Sequence, residues 1–126
     1  MSIRALLQEL EEADQPSKKL DTALGLIAGY RPTPGCADLA LATWNSPSNT
    51  TVTTLPSFTA TIDHALEFLM RIAPYAKGGF SWEPGMGSAI ISGNPPAQAA
   101  NPAIALCVAA LRSKISDNQL DNDIRT

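Results

Sequence analysis

Nothing constrains this chain more than the stretch NPAIALCVAALRSK, residues 101–114, in which no polar side chain stands between Pro102 and Arg112. Asn101 is a natural N-cap, and Pro102 at the next position loses nothing by lacking an N–H there. The stretch reads as a helix, and a helix that is apolar on every side has to be covered on every side. A sheet can cover one flank. A second subunit is expected to cover the rest, which makes the chain a homo-oligomer.

Elsewhere the apolar residues keep to one side. Ile3, Leu6, Leu7 and Leu10 fall at helical spacing behind a capping Ser2, with Gln8, Glu9, Glu11 and Glu12 on the wet face. Asp14-Gln15-Pro16 breaks that helix. Ser17 caps the next, whose stripe is Leu20, Ala23, Leu24 and Ile27 and whose end is marked by Gly29 and Pro32. A third helix starts from Thr59 or Thr61, carries Asp63 in its first turn and ends at Pro74. Its buried face would be Ile62, Ala65, Leu66, Leu69, Ile72 and Ala73, and Glu67 is spaced to pair with Arg71.

Two hairpins are expected between the helices. The first joins residues 39–44 to residues 50–54 across Asn45-Ser46-Pro47-Ser48-Asn49, although residues 39–42 suit a helical turn equally well. The second joins Phe80-Ser81-Trp82-Glu83 to Ser88-Ala89-Ile90-Ile91 across a glycine-rich turn, after which Asn94-Pro95-Pro96 leads away. This order is α+β, a small and mostly antiparallel sheet packed between helices as an α-β-α sandwich. Residues 1–115 make one domain, and residues 116–126, nearly without apolar side chains, make a flexible tail.

With 126 residues the chain can build a core, and a net charge of −3 argues against a dedicated nucleic-acid-binding module, so no direct nucleic-acid partner is expected, although a short local basic cluster stays open. No apolar run is long enough for a membrane span and the amphipathic start is not a signal peptide, so a cytoplasmic chain without a membrane partner is expected. Cys36 and Cys107 read as two free thiols, and His64, the only histidine, has no ligand set at metal spacing. The glycines at 78, 79, 85 and 87 read as turn residues, because they adjoin strands and no Lys-Ser/Thr follows them. No catalytic residue, metal or cofactor is expected, and the chain is not expected to be an enzyme. What remains is a set of aromatics and cations. Aromatic faces stack bases and a guanidinium grips phosphate, so Arg112, Trp82, Phe80, Lys77 and Trp44 form the candidate ligand-binding set, unless the aromatics simply fill the core.

Three segments, "LLQELEEADQPSKKLDTALGLIAGYRP", "LPSFTATIDHALEFLMRIAP" and "NPAIALCVAALRSK", run in an order that resembles the phage ABA sandwich family. The features that carry the likeness are Leu20-Asp21, the stretch from Phe58 through Leu66, and the stretch from Pro102 through Leu111. The resemblance implies a helix–sheet–helix sandwich and a phage or prophage origin, with no catalytic residues to carry over. It implies an accessory or counter-defence role in the host cytoplasm. The expectation is a sponge that binds and sequesters a nucleotide immune signal of the Thoeris or cyclic-oligonucleotide type. The alternative is an anti-CRISPR-like protein that binds and inhibits a host defence complex.

Overall fold

A computed structural model describes residues 2–34 and 43–125, with the backbone alone described from residue 116 onward. Helix α1 (Ile3–Glu12) starts where the Ser2 hydroxyl accepts from Ala5 N–H, and α2 (Lys18–Ala28) where the Ser17 hydroxyl accepts from Leu20 N–H. Gly29 ends α2 at φ 108°, which lets Gly29 N–H reach the Leu26 carbonyl and Tyr30 N–H reach that of Gly25. That double bond pattern needs a left-handed residue, and only glycine takes it without strain.

Three very short strands follow: β1 (Arg31–Pro32), β2 (Trp44–Asn45) and β3 (Thr51–Val52), antiparallel in that order. The first expected hairpin is therefore present as β2–β3, its loop tied by the Ser46 hydroxyl accepting from Ser48 and Thr50 N–H. Residues 39–42 and Cys36 lie outside the described residues. Helix α3 (Ile62–Ile72) is capped by Thr61, not Thr59. Thr59 is buried instead, donating its hydroxyl and its N–H to the buried carboxylate of Asp21, both at 2.8 Å, and so clasping α2 to the segment before α3.

The second hairpin is β4 (Gly78–Glu83) and β5 (Met86–Ile91) around a Pro84-Gly85 turn, with Gly85 at φ 77°. Pro at the first turn position and a positive φ at the second are the type II combination. A third strand, β6 (Ala97–Ala99), pairs with β5 and was not signalled by its composition. The chain is thus α+β, with its helices packed against two small antiparallel sheets.

Helix α4 (Pro102–Arg125) occupies the middle of the molecule. On one side it meets β5 and β6, and on the other α1 and α3. Every residue from 103 to 111 is buried, none more than 5% exposed. The cover that a second subunit was expected to give is supplied by α1 and α3 of the same chain. Past Lys114 the helix continues through residues 116–125, the stretch expected as a flexible tail. Around α4 the core is completed by Leu6, Leu10, Leu24, Ala65 and a run of aromatics, Tyr30 on Phe58 (6.3 Å) and Phe58 on Phe68 (5.7 Å), both edge to face.

Candidate functional site

The three strands β4, β5 and β6 show two unlike faces. Gly87, Ala89, Ile91 and Ala97 are buried against α4. In an antiparallel ladder directly opposed residues share a face. Phe80 stands opposite Ala89 and Trp82 opposite Gly87, so both rings point to the α4 side. Yet β4 is an edge strand, and all six of its residues are exposed. It overhangs the helix it faces, leaving Phe80 37% and Trp82 73% exposed.

The overhang is possible because Gly87 lets the hairpin come down on the start of α4. A Cβ at Gly87 would lie 2.1 Å from Pro102 N and 2.3 Å from the Asn101 carbonyl carbon. Gly87 is therefore a strand residue at a close backbone approach, and not the turn residue that its sequence setting suggests. Under Trp82 lies a shallow depression of about 350 Å³ lined also by Ile62, Glu83, Gly85, Met86, Ala100, Asn101 and Pro102. The starts of α3 and α4 border it, but both are already capped. The Thr61 hydroxyl accepts from His64 N–H at 3.4 Å, and Asn101 Oδ1 accepts from Ile104 N–H at 2.8 Å. Glu83 is the one ionisable residue in the lining.

The five candidate ligand-binding residues separate. Trp44 is 3% exposed and belongs to the core, so this member of the set is a packing residue. Arg112 is turned toward α1: its Nη2 lies 2.8 Å from Glu11 Oε1 and its Nη1 donates to the Pro96 carbonyl at 3.5 Å. It lines neither the depression under Trp82 nor the one beside Lys77. Lys77 lines a separate depression of about 530 Å³ with Tyr75, Ser92, Asn94 and Ser113. That hollow is at the opposite end of β4 from Trp82, five residues or roughly 17 Å along an extended strand. Only Phe80 and Trp82 stay together.

No family model, curated protein or solved structure matches the chain. Its own residues carry the functional reading.

Among the described residues the groups with intrinsic reactivity are otherwise engaged. Burial, with a smaller contribution from Asp21, pushes the Cys107 thiol far above its ordinary value, and its Sγ donates to the Phe58 carbonyl at 3.5 Å. A thiolate is disfavoured there. His64 Nδ1 accepts from Ser57 N–H at 3.0 Å, which sets its tautomer and ties it to the loop before α3. Among the described residues no group of three His, Cys, Asp or Glu could hold a metal ion, and no helix is long and apolar enough to cross a membrane.

Ile62, Met86, Ala100 and Pro102 were not anticipated as neighbours of Trp82. Their meeting depends on how the hairpin tip lies over two helix starts, and no local pattern encodes that. Glu11 as the partner of Arg112 is likewise a tertiary fact, joining residues at nearly opposite ends of the sequence.

Proposed function

We propose that this chain acts by binding, without catalysis, and that its partner is a protein docked beneath the β4 overhang. The observation that carries this reading is Trp82. Its ring stands 73% exposed over the apolar side chains of Ile62, Met86, Ala100 and Pro102. Tryptophan in such a setting is the residue most often found to anchor a protein interface, because it buries much area at little entropic cost. The charge at the site favours the same reading. No described residue lining the depression supplies a cation for an anionic ligand. Given the phage origin that the resemblance to the phage ABA sandwich family implies, the partner is a component of a host defence complex and the chain its inhibitor.

A second reading, sequestration of a nucleotide signal, is favoured by the free face of the Trp82 ring, on which a base could stack. Its phosphate anchor would have to be a group other than Arg112. Two measurements decide between them. Titration of the full chain with cyclic nucleotides, followed by tryptophan emission, should give no saturable change that Trp82→Ala removes. Photo-crosslinking from position 82 in host extract should trap a defence-system protein, and Trp82→Ala should lose that protein in a co-purification while keeping its fold. A saturable nucleotide response that depends on Trp82, with the ligand released intact on denaturation, would replace the first reading with the second.

A further inference from the structure

From the residue before it to its end, β4 reads Lys77-Gly78-Gly79-Phe80-Ser81-Trp82-Glu83, and among the described residues one of its backbone edges has no strand beside it. The ladder determines which groups face that edge. Ser92 N–H donates to the Lys77 carbonyl at 2.7 Å, one step along the register that pairs Gly78 with Ile91 and Glu83 with Met86. Bonded and non-bonded residues alternate in an antiparallel pair. Lys77, Gly79, Ser81 and Glu83 therefore spend their N–H and C=O on β5. Gly78, Phe80 and Trp82 turn theirs outward. Edge strands in proteins are commonly blunted by a proline, a bulge, an inward charge or a very short run. This one has six residues, no proline and no bulge in its register.

We propose that the free edge of β4 pairs with the same edge of a second copy of the chain, antiparallel and centred on Phe80. Three properties of the strand are self-complementary in that register. Phe80 meets Phe80 of the second copy and Gly78 meets Trp82, so every outward N–H and C=O of the three residues finds a partner. Lys77 meets Glu83, twice by symmetry. Both are exposed, both lie on the face away from α4, and among the described residues neither has an ion-pair partner. On the opposite face each Trp82 ring lies across from a glycine, which leaves it room. A shift of two residues in either direction sets Lys77 against Ser81 or Gly85 and loses the charge pairs.

The contact is one strand wide, so the dimer is weak and concentration-dependent, not obligate. Self-pairing through the backbone edge is a separate matter from docking beneath Trp82, and it is measured on the pure chain with no other protein present. Sedimentation equilibrium of the full chain from low to high micromolar concentration should fit a monomer–dimer equilibrium. Lys77→Glu and Glu83→Lys each replace two opposite-charge pairs by two like-charge pairs, and each should weaken dimerisation by about tenfold. An equimolar mixture of the two variants, or both changes in one chain, should regain the original affinity, because every facing pair is again of opposite sign. Circular dichroism and melting of each variant establish that the fold is kept. A chain that stays monomeric throughout overturns the proposal and leaves the edge free for a foreign strand. A dimer indifferent to both reversals, or one that the mixture fails to restore, overturns it in favour of another interface.

Discussion

Replacing Gly87 by alanine adds one methyl group at the tightest backbone contact between the hairpin and α4. The new carbon would sit 2.1 Å from Pro102 N, 2.3 Å from the Asn101 carbonyl carbon and 2.4 Å from Pro102 Cα. All three are backbone atoms, so no rotamer change relieves the overlap, and ordinary contact requires roughly 3.5–4.0 Å. Either β5 or the first turn of α4 must move by more than an ångström. The helix start is held by Asn101, whose amide donates to the Thr59 carbonyl at 3.1 Å and whose Oδ1 caps Ile104. Moving it puts the cap at risk. Overpacking of this kind costs about 1–3 kcal/mol and a lost Asn cap about 1 kcal/mol more, so Gly87→Ala should destabilise by about 2–4 kcal/mol. Urea unfolding followed by far-UV circular dichroism measures it. Gly79→Ala is the internal control, since nothing lies within 4 Å of a Cβ there, and it should change stability by no more than about 0.5 kcal/mol. Equal effects of the two substitutions would refute the close approach of β5 to α4.

Phe68, fully buried against Phe58, should cost about 3–5 kcal/mol when cut to alanine in the same urea assay, more than Leu66→Ala at a half-buried position. Arg112→Ala removes an ion pair whose side chains are 36% and 37% exposed, so a double-mutant cycle with Glu11→Ala should give a coupling of no more than about 1 kcal/mol. Alkaline pH should destabilise the fold. Burial raises the folded-state values of both Cys107, ordinarily 9.0, and Tyr30, ordinarily 10.0, the latter with help from Glu67. The folded chain then holds protons that the unfolded chain gives up, so the stabilisation is complete below the unfolded values and is lost as pH rises past them. Melting temperature should therefore fall from about pH 9 upward, and Cys107→Ala should make that fall shallower.

The helices were legible because their signals are local. Ser2, Ser17 and Asn101 sit where a side-chain oxygen can reach the first free N–H groups, and Gly29 sits where a left-handed residue is required. Thr59 and Thr61 are chemically equivalent caps in the sequence. Only the position of Asp21 across the fold gives Thr59 a different task. Strand β6 gives no local signal because Ala-Gln-Ala has no strand propensity of its own, and it pairs because Ala97 fits beside Ala89 of β5, buried against α4. Phe68 lies outside a stripe drawn through aliphatic residues, although it falls one turn after His64 and Ala65 on a helix whose buried side is wider than one row. The candidate site was legible only as composition. Trp44 and Trp82 look alike in a list of residues. One is central because its strand lies over the core, and the other is exposed because its strand lies past the helix.

The position of α4 also bears on how the chain is made. The helix against which α1, α3 and β5 all pack is the last of the described elements to leave the ribosome. Until residues 103–111 emerge, Leu6, Leu10 and Phe68 have no final surface to rest on, and the long loops that join them to α4 are not yet closed. Contacts between α1 and α4 span most of the sequence, which makes them the slowest to form. A nascent chain halted at β6 is in effect a set of apolar half-sites waiting for a plug, dependent on chaperones for as long as the pause lasts.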